Sequence, residues 1–155
     1  MMILYLLLGP TVYASTLTVG SPYSTIQDAI QNAQNGDTII IPSGNYSECI
    51  DLLGKNLTLE GSGSTTITGS NSCTYTVVAD NGEQADLSGL TIDHSYGRGI
   101  SAQNSNTSLN LDNIDIIGLG ANSWDGVAIT ADGADITISN SEISSSSASR
   151  GAILV

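Results

Sequence analysis

The apolar positions change their period once along the chain. Ile26, Ala29, Ile30 and Ala33 fall at i, i+3, i+4 and i+7, which is one stripe of a helix. Ser24-Thr25-Ile26-Gln27 fits an S-x-x-Q capping box with Ser24 as N-cap. Gly36 stands where a left-handed C-cap residue belongs. The pattern therefore predicts a helix over residues 24–35 with one apolar face. From residue 37 the period shortens. Asp37-Thr38-Ile39-Ile40-Ile41 is a β-branched run that Pro42 stops. Short apolar strands separated by Gly, Asn and Ser follow to the end.

Those strands repeat. Leu59, Leu87, Leu111 and Ile138 close similar L-x-L, A-x-L or I-x-I runs at near-constant intervals. Two positions beyond each stands Gly61, Gly89, Asn113 or Asn140, types that tolerate φ > 0, so each strand is expected to end in the same bend. Ile92, Ile116 and Ile143 follow the bends. A second column, Gly99-Ile100, Gly126-Val127 and Gly151-Ala152, recurs at the same interval. Two columns sharing one period are the mark of a solenoid. Each repeat holds short strands and no helical stripe, so the solenoid is a β-coil, each coil adding roughly 4.7–4.9 Å. The fold class expected is all-β, a parallel β-helix capped at its N-terminal end by the amphipathic helix, whose apolar face covers the open first coil. Ile153-Leu154-Val155 stops inside an apolar strand. That open edge predicts further coils, with the sequence truncated at 155, or a partner packed there.

Composition narrows the picture. Of 155 residues, 40% are hydrophobic and 12% charged, with no Phe and one Trp. A core without large aromatics must be thin or built of stacked aliphatic layers. The net charge of −12 argues against a nucleic-acid partner, because no Lys/Arg patch exists to neutralise phosphates. It also disfavours unaided binding of an anionic polysaccharide. Ile3 to Leu8 is a short apolar core, far too short to span a bilayer. Val12-Tyr13-Ala14 then places small residues at −3 and −1. The domain reading is thus a signal peptide at 1–14, cleaved before Ser15, and a β-helix domain at 15–155 with coils from 37. A buried N-terminal strand is the alternative for the leader. Export gives a secreted or cell-surface localisation and permits a disulfide between Cys49 and Cys73. Their separation is close to the repeat, which would set them on adjacent layers; two free buried thiols are the alternative.

Tyr23-Ser24-Thr25-Ile26-Gln27-Asp28-Ala29-Ile30, Ala33 and Gly36-Asp37-Thr38-Ile39-Ile40-Ile41 resemble the opening segment of pectin-lyase-like right-handed β-helix proteins. Pectin methylesterases and many surface β-helix proteins begin this way. Gly44-Asn45-Tyr46-Ser47-Glu48 is similar to their G-x-Y-x-E, and Leu57-Thr58-Leu59-Glu60-Gly61 to their strand ending in Gly. The resemblance covers residues 23–61 and implies a right-handed parallel β-helix. The catalytic segments of the methylesterases, polygalacturonases and alginate epimerases of this family are absent. The fold hosts many chemistries and none, so the resemblance implies a scaffold.

Few groups carry chemistry. Asp93, His94 and Arg98 form the one local acid–base–cation grouping, weighed as catalytic candidates against a solvated loop. Trp124 and Asp125, in the loop 118–126, are candidate ligand-binding residues: the indole would stack on a sugar ring or fold back over the rod. Asp112, Asp115, Asp132 and Asp135 are acidic points on consecutive strands. They read first as a solvated acidic face. Asp112 and Asp115 are the metal candidates in the alternative, and Ca²⁺ is the ion their oxygens would suit. No other cofactor is implied. Asn45, Asn56 and Asn106 begin N-x-[ST] triplets, which matter in a glycosylating host. Two functions follow: a non-catalytic surface or secreted β-helix that binds polysaccharide or cell-surface glycan, or the front of a polysaccharide-active lyase, esterase or hydrolase.

Overall fold

The computed structural model describes residues 13–95, 97–118, 127–145 and 153–154. In chain order the elements are β1 Thr16–Thr18, α1 Ile26–Asn32, β2 Thr38–Ile41, β3 Gly44–Ser47 and β4 Ile50–Asp51. Then come β5 Thr58–Gly61, β6 Thr65–Thr68, β7 Tyr75–Ala79, β8 Gln84–Asp93 and β9 Arg98–Gln103. The last are β10 Ser108–Gly118, β11 Ile129–Asp132, β12 Asp135–Ser139, β13 Glu142–Ser145 and β14 Ile153–Leu154.

These strands pair in parallel and wind over three walls. The first runs β1-β2-β5-β8-β10-β12. The second pairs β3 with β6, β6 with the later half of β8, and the later half of β10 with both β8 and β13. The third is a separate five-stranded sheet, β14-β11-β9-β7-β4. The molecule is a parallel β-solenoid, and strands of a wall belong to successive coils. Burial alternates along the first two walls as a half-buried strand requires: in β10, Leu109, Leu111, Ile114 and Ile116 are buried while Asn110 and Asp115 are exposed.

The aliphatic stacks expected from the repeat are present. Leu17, Ile39, Leu59, Leu87, Leu111 and Ile138 are in register down the first wall. Ile67, Ile92, Ile116 and Ile143 are in register down the second. Ile50, Val77, Ile100, Ile129 and Ile153 do the same down the third. Each interior member stabilises the rod by roughly 1.5–3 kcal/mol through burial. Ile138 is 37% exposed, whereas Leu87 and Leu111 are wholly buried, because among the described residues β12 ends its row and only Leu111 covers it.

Three local expectations need correction. The first is the helix. Its N-cap is Thr25, not Ser24, and it spans 26–32 rather than 24–35. Thr25 Oγ1 accepts from Asp28 N at 3.0 Å. The other donors of the first turn, Ile26 N and Gln27 N, give to the Glu48 carboxylate at 3.0 and 3.1 Å. Gln27 is thereby released from any box: its amide pairs both backbone groups of Asp51. At the far end Lys55 Nζ donates to the carbonyls of Ile30, Gln31 and Ala33 at distances between 2.7 and 2.9 Å. Gly36 does take a positive φ of 89°, but beyond the C-cap Ala33, where it turns the chain into β2.

The second correction concerns the bends, which differ in kind. Gly89, Asn113 and Asn140 have φ of 63°, 53° and 50°, as the repeat predicts. Gly61 is not left-handed; a Cβ there would lie 2.1 Å from the Gly89 carbonyl oxygen, so close approach of two coils demands its glycine. The third is register on the third wall. Ile100 pairs with Ile129 rather than Val127. A shift of an even number of residues keeps the same side chains inward, and spacing alone does not distinguish the two alignments. Gly126, Gly151 and Ala152 lie outside the described residues.

Candidate functional site

A parallel coil places its connecting loops at corners. Between the first and second walls the chain crosses in a short turn, or continues unbroken through β8 and β10. Between the second and third walls, residues 69–74 and 94–97 intervene in two successive coils. Loops on a rigid scaffold are where binding groups concentrate. The third wall beside this corner is the surface that they border.

Two side chains of that wall stand out. Tyr75 opens β7 and pairs in register with Arg98 at the start of β9. The Arg98 guanidinium lies 5.4 Å from the Tyr75 ring centroid and donates from Nη1 to Tyr75 Oη at 3.0 Å. The phenol then donates to Thr130 Oγ1 at 3.3 Å. Thr130 belongs to β11, so Tyr75 reaches past β9, the strand between. Ile129 faces the core, so its neighbour Thr130 faces outward. Ser101 of β9, in register with Thr130, is 1% exposed, and its hydroxyl accepts from Gln103 Nε2 at 3.0 Å. The outer surface here is an aromatic ring, a guanidinium, a threonine hydroxyl and the Gln103 amide on a parallel sheet.

The local sequence explains the placement. Thr76 and Val77 are both buried, which breaks the in–out alternation of β7. The Thr76 hydroxyl bonds to the Arg98 carbonyl at 3.3 Å, and a Cβ on Gly69 would lie 2.5 Å from that hydroxyl oxygen. The strand start is thus pinned inward at Thr76, leaving Tyr75 half-exposed on the other side.

Asp93, His94 and Arg98 diverge. Asp93 accepts from Ser95 N at 2.9 Å and from the Ser95 hydroxyl, closing its own turn. His94 is completely buried; its Nδ1 faces the Gly97 carbonyl at 3.4 Å, and Nε2 has no hydrogen-bond partner among the described residues. Gly118 of the next coil packs on the His94 backbone, where a Cβ would come within 2.9 Å. Of the three, Arg98 is the one that reaches the outer wall. Trp124 and Asp125 lie outside the described residues.

The metal candidates Asp112 and Asp115 stand apart from this wall, whereas Asp132 ends β11 on it, in register with Gln103. Asp112 accepts from Ser139 Oγ and Asn140 Nδ2, both at 2.7 Å. These bonds, the Ser139 hydroxyl first, hold its carboxyl below the usual carboxylate range. Asp115 lines a shallow polar groove with Thr91 and Asn113. Among the described residues, the group of three carboxylates converging within 4.8 Å is Asp51, Asp80 and Glu83, and it includes neither Asp112 nor Asp115. Glu83 there is committed, accepting from Gly54 N and Asn81 N at 2.9 and 2.8 Å. Cys49 and Cys73 form a disulfide between adjacent coils, with Cα atoms 6.0 Å apart.

Two contributors escaped the sequence reading. Tyr75 carries no motif; its one signal is a separation from Arg98 close to one repeat. Lys55 carries no motif either, and the coil brings its Nζ to the carbonyls at the end of α1.

No known protein-family profile matches the chain, and no curated protein matches it in sequence. Among the described residues no helix is long and apolar enough to cross a membrane.

Proposed function

We propose that the chain is an exported or cell-surface β-helix that binds glycan on the outer face of its third wall, and that it is not catalytic within this stretch. The observation that carries the reading is the Tyr75–Arg98–Thr130 row. An aromatic ring held on a sheet, with hydroxyl, amide and guanidinium groups beside it, matches a pyranose: apolar C–H faces to stack and hydroxyls to bond. A net charge of −12 selects neutral sugars over polyuronates, which would need a bridging divalent cation. The resemblance of residues 23–61 to pectin-lyase-like proteins supports a polysaccharide context and keeps a second reading, the front of a polysaccharide-active enzyme.

Affinity electrophoresis against soluble neutral polysaccharides, with polygalacturonate alongside, tests the binding. Tyr75→Ala should weaken retention about tenfold, the value of one aromatic contact of ~1.5 kcal/mol, while leaving the circular dichroism spectrum unchanged. Equal retention of the variant on every polysaccharide refutes the site. Turnover of pectate, alginate or methylated pectin by the chain would replace binding with the enzymatic reading.

A further inference from the structure

The polar groups near the first described residues centre on one buried carboxylate. Asp37 is 4% exposed. Its Oδ2 accepts from Gln34 N at 2.7 Å, and its Oδ1 accepts from Ser15 N at 2.6 Å. Ser15 is held on its other side as well, its carbonyl accepting from Thr38 N at 2.9 Å. The hydrogen bonds stop there. Tyr13 is 81% exposed, Ala14 is exposed, and neither makes one among the described residues. The Ala14–Ser15 bond therefore joins two solvent-facing residues to one clamped at both backbone groups. The same bond follows Val12-Tyr13-Ala14, the small–x–small pattern that export peptidases accept.

We propose that the chain is cut between Ala14 and Ser15, and that the new Ser15 α-ammonium is received by the Asp37 carboxylate. In the cut, water adds across the peptide bond. Its hydroxyl stays on the Ala14 carbonyl carbon, which leaves as a carboxylate, and Ser15 N keeps its hydrogen and gains protons to become –NH₃⁺. The nitrogen need not move. Before cleavage it is a neutral amide at 2.6 Å from Asp37; afterwards it is a cation at the same place. A buried carboxylate served only by neutral N–H groups is costly, and a cation in contact offsets that cost with a stronger, charge-assisted bond. Asp37 thus acts as a receptor for the mature terminus. The bond it fastens lies at the start of β1, the strand that covers β2.

The proposal rests on export, and two experiments separate them. First, the full chain is expressed with secretion, and the exported protein is read by N-terminal sequencing and intact mass. A start at Ser15 is expected. An exported protein that begins elsewhere overturns the cleavage site alone, and retention in the cell with residues 1–14 intact overturns export with it. Second, chains with defined starts are compared by thermal melting. The chain starting at Ser15 should melt roughly 3–6 °C above one starting at Tyr13, the shift expected of one charge-assisted bond in a domain of this size. Asp37→Asn should erase that difference. Acetylating the Ser15 amine in the unsubstituted protein should erase it too, and needs no substitution that threatens folding. Equal melting of the two starts, or a difference that survives acetylation, overturns the role of Asp37.

Discussion

Truncating one side chain in the first-wall stack separates a stacked coil from any other use of the same residues. Leu111 is wholly buried, with Leu87 below and Ile138 above in register. Leu→Ala at a buried site costs about 2–5 kcal/mol, more where the surroundings cannot collapse into the void. Here collapse is opposed from both sides, because the coils above and below are held at the strand spacing by their ladder hydrogen bonds. The upper half of the range applies, about 3.5 kcal/mol, or roughly a 10 °C fall in Tm for a chain of this size. Ile138→Ala removes a side chain already 37% exposed and covered on one side, so about half that loss is expected. Asn110 is exposed between Leu109 and Leu111, and Asn110→Ala should stay within about 0.5 kcal/mol. Thermal melting followed by far-UV circular dichroism reads all three. Equal falls for Leu111→Ala and Asn110→Ala would refute the register, and a larger fall for Ile138→Ala than for Leu111→Ala would refute the claim that interior coils carry more of the stability.

Lys55→Met removes three bonds to the last carbonyls of α1 and should cost roughly 2 kcal/mol. Amide hydrogen exchange should speed up at residues 30–36 while the Leu87 and Leu111 amides keep their protection; uniform acceleration would show that α1 is not separately fastened. The Cys49–Cys73 bridge ties two coils at a sequence separation of 24. Its replacement by paired serines should cost roughly 3 kcal/mol, with reduction of the unsubstituted protein giving the same fall in Tm, and an unchanged Tm in both would remove the bridge as a stabiliser. The depressed Asp112 carboxyl contributes stability that is present above its unfolded value of about 3.9 and is lost as pH falls through the lower folded value. Ser139→Ala should move the Asp112 titration upward in carboxyl-carbon NMR, and an unmoved titration would contradict the hydrogen-bond cause.

Much of the fold was legible because its physics is periodic. Leu59, Leu87, Leu111 and Ile138 repeat in sequence because each must fill the same layer one coil on, and the observed register pairs them directly. What escaped was set by contacts between coils. The helix start moved from Ser24 to Thr25 because Glu48, from the other side of the first coil, supplies the acceptor that a capping box would otherwise provide. Gly61 was read as a left-handed bend, whereas the Gly89 carbonyl of the following coil decides it. The third-wall alignment failed at Val127 because an even shift preserves facing, and Ile100 pairs with Ile129 instead.

The same logic explains why neighbouring residues misled and distant ones mattered at the candidate site. Asp93 and His94 are adjacent in sequence, and at a coil corner adjacency sends one side chain out to Ser95 and the other wholly inside. Arg98, at the start of β9, already belongs to another wall. The aromatic it meets is Tyr75, nearly a full repeat back in the chain but one strand spacing away. In a β-helix the chemical neighbour of a residue is the one a full coil earlier or later, so a site has to be sought down columns rather than along the chain. Of the two basic residues described, Lys55 serves the helix terminus, and Arg98 is held against Tyr75 on the third wall.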